Sequence, residues 1–171
     1  ITCRDWSSDV CSSDLLSTIG DSMALVRDYL SIEKVRFGDR FAFAVDIDPA
    51  LEPVRLPPLT LEPLAENALT HGLERKRGHG KLGITGRMDG ADAIITFEDD
   101  GPGMDPATMA ELSRALEDAL PPTGSHGIGL LGTNRRLALE YGPGYGIRIG
   151  QADSRGGGFK ATLRIPAGGR T

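Results

Sequence analysis

Apolar residues recur along this chain with two periods, and the two periods separate predicted helices from predicted strands. A period near 3.6 residues indicates an amphipathic helix, and strict alternation indicates a half-buried strand. Helical spacing appears in four segments, 16–37, 61–72, 106–116 and 128–141. Alternation or an apolar run appears in five, 41–47, 81–88, 93–98, 145–151 and 159–165. Their order predicts an α+β fold, a two-layer α/β sandwich in which a mixed, mostly antiparallel sheet carries helices on one face.

The segment 61–72 combines an apolar stripe with a second set of polar side chains. The stripe is formed at helical spacing by Leu61, Leu64, Ala65, Ala68 and Leu69. Asn67 and His71 lie off this stripe and one turn apart, with Glu66 beside them. Thr60 is expected to cap the start of the helix and Gly72 to end it. The pattern predicts a site for amide, imidazole and carboxylate chemistry on a rigid element.

Two glycine-rich segments follow this helix. Residues 99–103 have the form D-x-G-x-G at the end of a predicted strand, where a carboxylate can accept a hydrogen bond from an exocyclic amine. The alternative is an ordinary turn, because Asp and Gly favour turns. Residues 124–130 (G-S-H-G-I-G-L) lead into a helix, whose first N–H groups favour an anion. The alternative here is a plain glycine-rich helix start, and neither a Walker nor a Rossmann motif fits the spacing.

Composition narrows the class of protein without identifying it. A length of 171 residues predicts one domain, with or without an appendage, and 39% hydrophobic residues are enough for a packed core. The net charge of −5 argues against a nucleic-acid partner. No apolar run approaches the roughly 18 residues of a membrane span, so a water-soluble piece is expected.

The first fourteen residues differ from the rest of the chain. Ser-Ser-Asp-Val at 7–10 recurs as Ser-Ser-Asp-Leu at 12–15, and the segment resembles translated sequencing adapter. We therefore expect residues 1–14 to be non-native and the chain to be a fragment. Both cysteines, Cys3 and Cys11, lie in this segment, so no disulfide or cysteine metal site is expected in the remainder.

We call the predicted helix 61–72, which carries Asn67, the asparagine helix. This helix and the two glycine segments, in this order and at these separations, resemble the N, G1 and G2 boxes of the Bergerat-fold ATPases. That superfamily includes gyrase, the ninety-kilodalton chaperone, histidine kinases and MutL. Segments 29–40 and 57–72 narrow the resemblance to the LytS-like sensor histidine kinases. The similarity covers about residues 15–166, and 134–137 are part of it.

The resemblance implies roles for the polar side of the asparagine helix. Asn67 would coordinate the Mg²⁺ that bridges the phosphates of ATP, a task that an amide oxygen suits. Glu66 would orient the water shell of the metal. His71 would approach a phosphate, with a solvated histidine at a helix end as the alternative. These three residues are the implied catalytic set, and Asn67 is the implied metal ligand.

The resemblance also implies how the glycine segments hold ATP. Asp99 would accept a hydrogen bond from the adenine amino group. Gly101 and Gly103 would begin a lid over residues 104–126 that closes on the nucleotide. The lid would end against the phosphates at four cofactor-binding residues, Gly127, Ile128, Gly129 and Leu130.

Two departures from the superfamily shape the predicted reaction. In the hydrolysing branch a glutamate four residues before the asparagine acts as general base, and here that position is Pro63. Phosphoryl transfer to a side chain is therefore expected in place of efficient hydrolysis. The phosphoacceptor histidine belongs on a dimerisation helix upstream of residue 15, and none of the three histidines of this chain qualifies. Residues 15–38 would be the end of a dimerisation or linker helix, and 39–168 the catalytic domain.

The predicted function is that of the ATP-binding catalytic domain of a two-component sensor histidine kinase, which phosphorylates a histidine absent from this chain. ATP and Mg²⁺ are the predicted cofactors. The predicted partners are the dimerisation helix of a homodimeric full-length kinase and a response regulator, and a cytoplasmic domain of a membrane-anchored protein is expected. One alternative is a non-catalytic nucleotide-binding regulatory module, for which Thr70 and His126 are hints. Another is a serine kinase of the anti-sigma-factor type, against which segment 29–40 argues.

Overall fold

The computed structural model describes residues 16–73, 76, 78–118, 128–152 and 157–168, and for residues 71, 73 and 128 the backbone alone. The segment 1–14 and Gly127 lie outside these residues, so what the sequence predicts for them stays a prediction. The helices are α1 (Ile19–Phe37), α2 (Glu62–Asn67), α3 (Pro106–Glu117) and α4 (Ile128–Tyr141), with a π-helical turn at Ala68–Leu73 and 3₁₀ turns at Gly38–Arg40 and Pro49–Leu51. The strands are β1 (Ser17–Thr18), β2 (Phe41–Ile47), β3 (Arg55–Leu56), β4 (Gly80–Asp89), β5 (Asp92–Asp99), β6 (Gly146–Gln151) and β7 (Phe159–Pro166).

Five strands form the main sheet in the order β2-β4-β5-β7-β6. Strands β2 and β4 are parallel, and the other neighbours are antiparallel. The predicted α+β sandwich with a mixed, mostly antiparallel sheet is confirmed. A second pair, β1 with β3, was not predicted, because two-residue strands are too short to show a period.

The core lies between the helices and one face of this sheet. Alternate residues of the central strands point into it and are buried, among them Leu82, Ile84, Ile95, Phe97 and Leu163. The residues between them, such as Thr85 and Thr96, which are paired across β4 and β5, lie on the opposite, more exposed face. Each large side chain buried in this way contributes about 1.5–3 kcal/mol.

Helix α1 is capped at both ends and packs on the same core. Its first turn is capped by Thr18, whose Oγ1 accepts a hydrogen bond from the Asp21 amide (3.0 Å). It ends at Gly38, which has φ 58° and donates its N–H to the Lys34 carbonyl. Its buried face is formed by Ile19, Met23, Val26 and Leu30. The assignment of residues 15–38 to a dimerisation or linker helix stays a prediction, and no helix in the described residues is long and apolar enough to cross a membrane.

Two predictions about the ends of the asparagine helix are wrong. Thr60 does not cap it: α2 is preceded by Leu61 without a side-chain cap, and the buried Thr60 hydroxyl donates to the Pro57 carbonyl (2.5 Å). Gly72 does not end it, because the chain continues from α2 into the π-helical turn that contains Gly72. Thr60 is thus used in a local contact with the chain three residues earlier, and Gly72 lies against the distant Asp99.

Candidate functional site

The polar side of α2 faces away from the core, as its pattern predicts. Leu64, Ala65, Ala68 and Leu69 are buried, and so is Leu61 before them. Asn67, the last residue of α2, is half-buried, and Glu66 is exposed. The backbone of His71 lies in the π-helical turn, and its side chain is outside the described part of the chain. Wide turns of this kind are frequent at functional sites.

Asp99 ends β5 with its side chain buried and only half satisfied. Its Oδ1 accepts hydrogen bonds from the amides of Gly101 (2.9 Å) and Phe159 (3.3 Å). Its Oδ2 is buried and has no partner among the described residues. Burial raises the pKa of Asp99 to about 6, although the two backbone hydrogen bonds lower it. The turn therefore presents one oriented acceptor atom that is missing a donor.

Asp100, the next residue, differs because both of its oxygens have partners. Its Oδ1 accepts from the Lys81 amide (2.7 Å), and its Oδ2 pairs with Lys76 Nζ (2.7 Å). Lys76 belongs to the basic run 75–77. Of the two adjacent carboxylates, Asp99 is thus the one with an acceptor atom left for a ligand.

Two glycines bring the π-helical turn against the Asp99 turn. A Cβ added to Gly72 would lie 2.5 Å from Asp99 Cγ, and one added to Gly101 would lie 2.4 Å from the Gly72 carbonyl oxygen. No side chain fits at either position. Gly103 has φ 72°, which favours glycine, and its added Cβ would lie 3.2 Å from the Gly158 backbone. The asparagine helix and the aspartate turn therefore form one closely packed unit.

The second glycine segment leads into α4, which packs against the start of α2. A Cβ added to the exposed Gly129 would be in ordinary contact with Pro63, 3.5 Å from its Cβ. Ile128 begins α4, and Leu130 is buried in the core at 1% exposure. The cofactor-binding roles predicted for Gly127, Ile128, Gly129 and Leu130 stay predictions.

Two side chains of α4 attach this helix to the segment before α2. Arg136 Nη2 donates to the Leu59 carbonyl (3.0 Å), and the Tyr141 hydroxyl donates to the Arg55 carbonyl (2.8 Å). Leu59 has φ 56°, a costly conformation for a branched side chain. Arg136 lies in the stretch 134–137 that carries the family resemblance, but the sequence assigned it no contact.

Metal ligands are sparse in the described residues. They contain no group of three or more His, Cys, Asp or Glu side chains that could hold a metal ion. Glu62 has both carboxylate oxygens buried without a partner among the described residues, but it is the first residue of α2 and Asn67 the last. An Asn67 amide oxygen would fit a cation whose remaining ligands are phosphate oxygens and water.

Residues 57–169 match the protein-family model described as histidine kinase-, DNA gyrase B- and HSP90-like ATPase. The chain belongs to this family. Its curated relatives include proteins named as sensor histidine kinases. The sequence prediction of this family is confirmed.

Relatives among curated proteins are sensor kinases that are much longer than this catalytic domain. It is 37% identical over 149 residues to sensor histidine kinase YesM of Bacillus subtilis, covering 87% of this chain and 24% of YesM. It is 31% identical over 125 residues to sensor protein LytS of Staphylococcus haemolyticus, covering 73% of this chain and 21% of LytS. The domain thus spans about a quarter of the length of these relatives.

Solved structures support the same fold. The nucleotide-free catalytic domain of histidine kinase ThkA superposes with a TM-score of 0.62 at 15% identity, covering 89% of this chain and 95% of that one. The mycobacterial sensor histidine kinase MprB superposes with a TM-score of 0.58 at 20% identity, covering 86% and 95%. At these identities the likeness establishes the fold alone.

Proposed function

We propose that this domain binds Mg-ATP between the polar side of α2 and the Asp99 turn, and that it transfers the γ-phosphoryl group to a histidine on a dimerisation helix. The observation that carries the proposal is the buried Asp99 Oδ2, which lacks a donor among the described residues. An unpaired buried acceptor costs about 1–3 kcal/mol, so its retention favours a ligand that supplies the donor.

The exocyclic amine of adenine is a donor of the required kind. Two backbone amides hold Asp99 Oδ1, so the direction of Oδ2 is fixed before a ligand arrives. Guanine presents a carbonyl oxygen at the corresponding ring position, and it would place two acceptors face to face. Asp99 therefore favours adenine over guanine nucleotides whenever it is ionised.

Asn67 is the residue that would hold Mg²⁺, and phosphate oxygens and water would complete its shell. The metal would neutralise charge on the phosphates. Glu66 lies beside Asn67 on the exposed side, where it can accept hydrogen bonds from metal-bound water. His71 is proposed to approach a phosphate from the π-helical turn.

Transfer to a side chain is favoured over hydrolysis because a general base is missing at the usual place. Pro63 stands four residues before Asn67, and a proline cannot accept a proton from water. Positioning of the acceptor histidine beside the γ-phosphate would then supply most of the catalysis. The histidine, the homodimer, the response regulator and an anchored, cytoplasmic setting are proposed for the whole protein by analogy with its relatives.

The first experiment is calorimetric titration of the chain with ATP, with and without Mg²⁺. We expect Asp99→Asn to abolish binding, since an amide offers a donor where an acceptor is needed. Asn67→Ala should remove only the Mg²⁺ dependence. Asp100→Asn is the matched control, because its oxygens already have partners, and it should bind ATP nearly as the parent does. A folded parent that binds no ATP, or an Asp99→Asn variant that binds normally, would refute the site.

The second experiment supplies a separate dimerisation helix from a LytS-like relative together with Mg-ATP. Phosphorylation of its histidine by the parent, and its loss in Asn67→Ala, would support the kinase. ATP binding without any transfer would favour the non-catalytic regulatory module.

A further inference from the structure

Asn134 is a buried polar residue in the middle of α4. Its side chain is 5% exposed and lies on the face of α4 that also carries the buried Leu130 and Leu137. A buried carboxamide is costly unless its hydrogen-bonding groups are satisfied. Here both ends are used: Nδ2 donates to the Leu116 carbonyl (2.7 Å), and Oδ1 accepts from the Ile147 amide (2.7 Å).

The two partners of Asn134 lie on different elements. Leu116 is in the last turn of α3, and its carbonyl accepts from Asn134 as well as from the amide of the C-cap residue Asp118. Ile147 is in β6, an edge strand of the sheet, whose outer amides have no neighbouring strand. One side chain thus joins three elements that are separate in sequence.

The start of β6 leaves space for this carboxamide. Gly146 has φ 130°, and a Cβ added to it would lie 2.2 Å from Asn134 Oδ1. A residue with a side chain at this position would push the carboxamide aside. The contact therefore depends on a matched pair, an asparagine on α4 and a glycine on β6.

The elements joined by Asn134 flank the nucleotide segments. Helix α3 follows the Asp99–Gly103 turn, and α4 carries the end of the second glycine segment at Ile128–Leu130. We propose that Asn134 is a positioning residue of the nucleotide site. It holds the last turn of α3 against α4, and so fixes the position of the helix that follows the first glycine segment relative to the helix that follows the second. This inference rests on the proposed nucleotide function.

The physical basis is preorganisation. If α3 and α4 are already held together, ATP does not have to order them when it binds. The free energy of ordering is then not subtracted from the binding free energy, and the affinity is higher. If the carboxamide is lost, the same contacts with ATP can form only after the helices are brought together. The affinity should therefore fall even in a variant that is fully folded.

The test compares Asn134→Asp and Asn134→Leu with the parent by calorimetric titration with Mg-ATP, and measures the Tm of each. Asn134→Asp keeps the size and the acceptor for Ile147, but places an oxygen against the Leu116 carbonyl. Asn134→Leu removes both bonds. At a temperature where each variant is fully folded, Asn134→Asp should bind Mg-ATP about tenfold more weakly, as expected for one buried hydrogen bond, and Asn134→Leu at least as weakly.

The matched control is Ile165→Val, a substitution in the core of β7. Ile165 is fully buried and lies opposite Ala93, six residues from Asp99 along β5. It should lower the Tm and leave the affinity for Mg-ATP unchanged.

Asn134 variants that lower the Tm but bind Mg-ATP as tightly as the control would show a purely structural residue and overturn the inference. Asn134→Asp decides the question if Asn134→Leu does not fold. Failure of the folded parent to bind Mg-ATP would overturn the proposed function, and the inference with it, whereas normal binding by the variants overturns the inference alone.

Discussion

The two sides of the site are built differently. On the aspartate side (Gly72, Asp99 and Gly101), backbone and side-chain atoms are so close that no methyl group can be added. On the asparagine side (Glu66, Asn67 and Gly129), the side chains are half-buried or exposed, and a methyl group fits at the glycine. The aspartate side is already closely packed before a ligand arrives and lacks one donor, to Asp99 Oδ2, while the asparagine side would gain its packing partners with the ligand. Substitutions should therefore affect folding and binding together on the first side, and binding alone on the second.

Among the substitutions that test this packing contrast, the largest effect is expected for Gly72→Ala. The added Cβ would lie 2.5 Å from Asp99 Cγ, so either the carboxylate or the π-helical turn must move. A displacement of about 1 Å in a positioning group can lower a reaction rate about 100-fold, and we expect a loss of ATP affinity on the order of that factor. Overpacking should also lower the free energy of unfolding by roughly 1–3 kcal/mol. Titration calorimetry and denaturant unfolding measure the two effects.

Gly132→Ala is the control for this substitution. Gly132 is exposed in α4, and a Cβ added there has no atom within 4 Å. The change should preserve ATP affinity and stabilise the helix by up to about 1 kcal/mol. If Gly72→Ala binds ATP as well as Gly132→Ala does, the close packing of the aspartate side is not what orients Asp99.

The second prediction concerns the dependence of stability on pH. Burial raises the pKa of Asp99 from 3.8 to about 6 in the folded chain. The folded state therefore holds this proton to a higher pH than the unfolded state does. The contribution of Asp99 to stability is present below about pH 4 and is lost as the pH rises through about 6.

Denaturant unfolding of the parent and of Asp99→Asn across this range isolates the effect, because the other groups titrate in both proteins. The parent should lose stability relative to the variant between about pH 4 and 6.5, and the difference should level off above that range. A difference that does not change with pH would contradict the buried, half-satisfied carboxyl group. The cost at neutral pH is consistent with a residue that serves binding at the expense of stability.

The sequence predicts features that depend on local pattern and misses those that depend on contacts between distant residues. Apolar residues recur with clear periods in the helices and in the strands of the main sheet, so these elements could be predicted. Asn67 and Asp99 lie in segments whose residue types suit their proposed tasks. The role of Gly72 could not be read, because it depends on contact with Asp99, which is far away along the chain. Asn134 lies in the stretch 134–137 that carries the family resemblance, but its partners on α3 and β6 could not be read because they are set by tertiary packing.

The smallest effect is expected for Glu66→Gln on the asparagine side. Glu66 is exposed, so the free energy of unfolding should change by less than about 0.5 kcal/mol. If Glu66 orients metal-bound water, affinity for ATP should fall only when Mg²⁺ is present, by about threefold, as expected for an exposed carboxylate. Glu111→Gln, at an exposed position of α3, is the control for loss of one negative charge. An equal change with and without Mg²⁺ would indicate a general charge effect, and the asparagine side would then act through Asn67 without help from its acidic neighbour.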